Sequence, residues 1–135
     1  MMHGMIGLSF DEAEVLAERA RAFLRNAENL FDQGQYDISA FSLEQYCQLI
    51  VKYKLLTKAG VYPRIHSLMG LLQELSKFSS EVSSFIRNKK NVVFLTKIED
   101  AYIGSRYLPR RYQQTEVKEM IKFVKEVFVN VIERV

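Results

Sequence analysis

Arginine and tyrosine crowd into one short stretch of this chain, Asp100-Ala-Tyr-Ile-Gly-Ser-Arg-Tyr-Leu-Pro-Arg-Arg-Tyr112. Tyr102, Tyr107 and Tyr112 alternate there with Arg106, Arg110 and Arg111, around Gly104 and Pro109. A guanidinium presents a fixed fork of donors to phosphate, and a phenol ring stacks on a base while its hydroxyl hydrogen-bonds. The stretch lies between two apolar helical patterns, so a loop is expected, and loops concentrate binding residues. Arg106, Tyr107, Arg110, Arg111 and Tyr112 are the candidate ligand-binding residues. Tyr107, beside Arg106, is the stronger ligand contact; Tyr102 reads as helix packing.

A second polar group interrupts an apolar helical stripe: Glu44, Gln45, Gln48 and Lys52. Buried polar groups must find partners or reach an edge. Either Glu44, Gln45 and Lys52 line a groove opposite Arg106, or Glu44 pairs with a basic group such as Lys or Arg at the core rim. Cys47 falls on an apolar face and reads as an inert buried thiol. His66 reads as a helix N-cap or N-terminal-turn residue beside Ser67. One cysteine and two histidines argue against a disulfide or a zinc site, and no cofactor is expected.

The elements that must carry these residues are helical. Ser9 and Glu12 have capping-box spacing, and Ala13, Leu16, Ala17, Ala20, Phe23, Leu24, Ala27, Leu30 and Phe31 follow at helical intervals until Gly34. The alanines on that face allow close approach of a neighbour. A second helix spans Tyr36 to Lys58, apolar on nearly two sides and therefore central, ended by Gly60 and Pro63. A short helix runs from about Ser67 to Lys77. The serines at 79, 80, 83 and 84 predict loop or weak helix. Asn91 to Ile103 forms a further helix. Thr115 is the expected cap of the last one, whose stripe is Val117, Met120, Ile121, Val124, Val127, Phe128, Val131 and Val135. Phe123 and Val129 lie off that stripe, and their exposure would mark a dimer or partner patch. No useful strand alternation is present. The expected fold is all-α, an antiparallel up-and-down bundle of four to five helices.

The 135 residues, 48% hydrophobic, suit one domain over residues 1–135 with a real core. No apolar run is long enough to cross a bilayer, and the first ten residues lack a secretory pattern, so a cytoplasmic protein without membrane contact is expected. The net charge of +3 is mild, but the positive excess lies late: Lys52, Lys54, Lys58 and Arg64, then Arg87, Lys89 and Lys90, then Arg106, Arg110 and Arg111. Residues 11 to 33 instead mix both signs.

In this order the patterns resemble the HEPN domain family of small helical bundles over nearly the whole chain. The resemblance rests on Ala27-Glu28-Asn29-Leu30 with Gly34-Gln35-Tyr36-Asp37-Ile38-Ser39-Ala40-Phe41 and Glu44-Gln45-Tyr46-Cys47-Gln48-Leu49, on Pro63-Arg64-Ile65-His66-Ser67-Leu68, and on Asp100-Ala101-Tyr102 with Ser105-Arg106-Tyr107 and Pro109. It implies a range of activities. Some members are metal-independent ribonucleases. Many form a toxin-antitoxin pair with a minimal nucleotidyltransferase, and some only bind nucleotides or partner such a transferase. Homodimers are common.

The nuclease members carry an arginine, a polar residue and, a few positions on, a histidine. Arg106 would be that arginine, followed here by Tyr107, and the window for the histidine spans Arg111, Tyr112 and Gln113, none of them histidine. Some toxins carry a tyrosine just after that histidine which the transferase adenylylates; Tyr112 lies near that place, out of register. Moving a proton from a ribose hydroxyl near neutrality suits histidine, whereas tyrosine titrates near 10 and arginine does not titrate usefully. Arg106 would still stabilise a phosphorane. The expectation is therefore a nucleotide- or RNA-phosphate-binding module, homodimeric and paired with a separate minimal nucleotidyltransferase, rather than an enzyme. The alternative is a metal-independent RNA endonuclease using Arg106 with a substitute for the histidine. A weaker third reading is a helical bundle without ligand.

Overall fold

The structure, a computed structural model, describes residues 5–7, 10–102 and 111–135. The chain runs β1 (Met5–Gly7), α1 (Phe10–Asp32), α2 (Tyr36–Ala59), β2 (Val61–Pro63), α3 (Leu68–Leu75), α4 (Ser80–Arg87), α5 (Lys89–Asp100), α6 (Gln114–Phe123) and α7 (Val129–Glu133). A 3₁₀ turn, Ser76–Phe78, leads into α4, and a π turn, Val124–Phe128, joins α6 to α7.

Helix α2 is the axis of the bundle. It packs along α1 and touches α3, α5, α6, α7 and β2. The α1–α2 seam is built from small residues: Ala13, Ala20 and Ala27 on one helix and Ala40 on the other are buried. With no bulky side chain between them the two backbones come close enough for the Ser39 hydroxyl to donate to the Ala27 carbonyl at 2.6 Å. Gly34 (φ 76°) and Gly60 (φ 78°) occupy the left-handed conformation that turns the chain at the two ends of α2. The rest of the core comes from Leu68, Leu71, Leu72 and Leu75 of α3 and from an aromatic group. In that group Phe94 stacks on Phe123 (4.8 Å), Phe123 on Phe85 (6.0 Å), and Phe128 meets Phe85 and Tyr46 edge-on (6.1 and 6.2 Å).

The all-α bundle is as the sequence pattern implies, with more helical segments than four to five. The serine-rich stretch is a helix, because Ser79 caps it, accepting from the Val82 amide at 3.1 Å, while Val82 and Phe85 plug into the core. Asn88 likewise starts α5 at Lys89 rather than Asn91, accepting from the Asn91 amide at 3.2 Å. Thr115 lies inside α6, which begins at Gln114. Ser9 and Ile103 lie outside the described residues. A two-stranded antiparallel ribbon, Ile6 opposite Tyr62, also forms, from strands too short to show alternation.

The last helix departs most from its expected stripe. Val127 is 37% exposed, whereas Phe123 is buried and Val129 packs against the core. The π turn explains both. One extra residue in a turn sets the apolar stripe back by roughly 100°. Phe123 before the turn and Ile132 after it thereby face the same core, and Phe123 and Val129 form no exposed patch.

Candidate functional site

The polar residues of α2 gather where three elements meet. Glu44 is fully buried. Its carboxylate accepts from the Gln48 amide at 2.5 Å and from the Gln45 amide at 2.8 Å. The same Gln48 nitrogen donates to the His66 carbonyl at 3.0 Å, fastening α2 to the segment between β2 and α3. Glu99, from the end of α5, accepts from the Met69 amide (2.9 Å) and the Ser67 hydroxyl (3.0 Å), filling the N-terminal end of α3. One helical turn beyond Gln48, Lys52 is half-buried, with its ammonium 5.5 Å from the centre of the Tyr62 ring.

Electrostatics follow from burial. Loss of water raises the Glu44 carboxyl from 4.5 to about 7; the two amides that donate to it pull the other way, and Glu99 adds to the rise. Burial lowers the Lys52 ammonium, partly offset by Glu44. The two are coupled through space but share no close ion pair. Glu44 therefore lies inside the fold, held by amides rather than by a cation. Cys47 is fully buried and its thiol pushed up by desolvation, an inert group.

The described ends of the Tyr/Arg stretch are anchored to the bundle at two points. At the first, the His66 ring stacks on Tyr102, centroids 5.1 Å apart and planes 19° from parallel. At the second, the Tyr112 amide donates to Asp37 Oδ1 at 2.7 Å, just inside the start of α2. The Tyr112 ring is buried in the core group, while Arg111 is exposed. Arg111, Tyr112 and Gln113 face Gly34, Tyr36 and Asp37 across a shallow cavity of about 310 Å³. Arg106, Tyr107 and Arg110 lie outside the described residues.

The fold thus joins Glu44, Gln48, His66, Glu99 and Tyr102, drawn from four segments. It sets Lys52 at the edge of that group and puts Arg111 and Tyr112 elsewhere, at the N-terminal end of α2. Sequence reasoning misses Asp37 and Glu99 as anchors. Asp37 carries a local signal, a carboxylate in the first turn of a helix. Glu99 carries none, since its partners are 30 and 32 residues away.

A compact helical bundle organised around one central, polar-striped helix is the class that this geometry defines. The HEPN domain family profile matches residues 13–135, and the chain belongs to that family. The fold is similar to the crystal structure of the protein TT1696 from Thermus thermophilus, at 21% sequence identity and a TM-score of 0.68, over 91% of this chain and 98% of that one. Among curated proteins, none matches.

Proposed function

We propose that this HEPN protein is a nucleotide- or RNA-phosphate-binding module built on Arg106, working as a homodimer with a separate minimal nucleotidyltransferase in a toxin-antitoxin arrangement. It lacks the complete arginine–histidine pair of the nucleases. One observation carries the reading. The middle position of the histidine window, Tyr112, is 6% exposed and tied by its amide to Asp37, so its ring is committed to packing. Its neighbours, exposed Arg111 and Gln113, have no group that shuttles protons near neutrality. A guanidinium gripping phosphate needs no such group. Family membership is what supports the dimer and the transferase in this reading.

The test is incubation of the pure protein with labelled single-stranded RNA in the presence of chelator, followed by titration with ATP and short RNA. The expected result is binding without cleavage, weakened roughly tenfold or more by Arg106→Ala. Unchanged affinity removes Arg106 from the reading. A second reading, a metal-independent RNA endonuclease, has one observation in its favour: exposed His66 stacks on Tyr102, four residues before Arg106. Cleavage lost in both Arg106→Ala and His66→Ala would establish it.

A further inference from the structure

The outer face of α1 carries a cavity that the HEPN-family reading leaves unused. Arg19, Ala22, Phe23, Arg25, Asn26 and Asn29 line about 400 Å³ of open groove. Helical spacing puts all six on one side of α1. The floor is apolar, Ala22 and a half-buried Phe23 that packs on the core from within. The walls are polar and exposed. Among the described residues neither guanidinium makes an ion pair. The acidic residues of this mixed-sign helix do not line the groove: Glu28 is turned aside to Lys125, 3.2 Å away, and Glu18 lies just outside the lining. The Asn26 amide reaches the Ser42 hydroxyl of α2 at 3.5 Å, which leaves its carbonyl oxygen available, and Asn29 is exposed.

We propose that this groove binds single-stranded RNA, with Arg19 and Arg25 on successive phosphates, the edge of Phe23 against a base, and Asn26 and Asn29 on base edges. The chemistry matches group by group. The two arginines rise about 9 Å apart along the helix, the scale of neighbouring phosphates on a splayed strand rather than of one anion. Unpaired guanidiniums are forks for phosphate oxygens. An aromatic floor takes the face of any base, and carboxamides both donate to and accept from base edges. An acidic protein surface would satisfy the arginines as well; the carboxamides flanking an apolar floor are what favour a base, which offers an edge and a face together. The described lining of the groove comes entirely from α1, and the proposal stands whether or not Arg106 grips a nucleotide.

The experiment is fluorescence anisotropy on the full chain with a labelled single-stranded RNA of about 12 nucleotides, at several salt concentrations. The proteins compared are wild type, Arg19→Gln/Arg25→Gln and Arg106→Ala. Both altered arginines on α1 are solvent-exposed, so the double variant keeps its fold, checked by circular dichroism. It is expected to bind roughly tenfold or more weakly, and the slope of log affinity against log salt is expected to fall by about 1.4, two phosphate contacts on a single strand. Phe23→Leu, which keeps the packing but removes the ring, should weaken binding with the salt slope unchanged. Wild-type affinity and slope in the Arg19/Arg25 variant overturn the proposal, even if Arg106→Ala abolishes binding. Loss in the α1 variant with no loss in Arg106→Ala upholds it and refutes the Arg106 reading instead. Absence of RNA binding by wild type at near-millimolar protein overturns it as well.

Discussion

Glu44 is the residue whose chemistry the fold alters most. In water its carboxyl would titrate at 4.5, whereas buried between two glutamine amides it titrates at about 7. Between those values the native state keeps a proton that the unfolded chain has released. Raising pH through that window therefore subtracts stability, and above about 7 the loss is complete at about 3 kcal/mol. Urea titrations at pH 5, 6, 7 and 8 should show the decline in wild type and a much flatter profile in Glu44→Gln, the variant being the more stable at pH 8. Parallel profiles would mean that Glu44 stays charged throughout. Gln48 takes part, because one amide nitrogen serves both Glu44 and the His66 carbonyl. Charging Glu44 strengthens the bond from Gln48, so the cost falls on burial of the carboxylate itself.

Among the elements, the short ones depend on capping more than on propensity. Helix α4 has eight residues, below the length at which an isolated helix holds itself together. Its start is secured by the Ser79 hydroxyl and its inner face by Val82 and Phe85. Ser79→Ala should cost about 1 kcal/mol, read as a lower urea midpoint with an unchanged m-value. The same substitution at Ser80, exposed and already inside the helix, should move the midpoint little. Capping serines at the head of an apolar pair are visible in sequence, yet serine abundance reads equally as loop, and only burial of Val82 and Phe85 decides between them. The π turn is the opposite case. Nothing in Val124–Phe128 announces it, because a widened turn is imposed by what the flanking segments must pack against.

At the scale of the whole molecule the aromatic group links α2, α4, α5 and the last helix. Phe128 is fully buried and touches both Tyr46 and Phe85. Phe128→Ala should cost about 3–5 kcal/mol, since a cavity at the junction of several helices cannot collapse from one side. A loss below about 1 kcal/mol by urea denaturation would show that this junction repacks freely. The bundle also sorts charge. Helix α1 reads as an alternation of signs, but packing against α2 and the last helix turns Glu28 toward Lys125 and leaves Arg19 and Arg25 around a groove. Among the described residues no helix is long and apolar enough to cross a membrane.

Periodicity alone determined the helical class, the central place of α2 and the alanine seam with α1, because each depends on residues three or four apart on one helix. Residue types likewise marked Arg106 and the empty histidine window. Only the tertiary structure decided that Glu44 is buried and held by two amides, that Tyr112 is core, that His66 meets Tyr102, and that Phe123 faces inward. Each of these joins groups distant in sequence or rests on the phase of a helix against its neighbours. Local spacing carries no information about that phase, because it is chosen by where the whole set of apolar faces can close together.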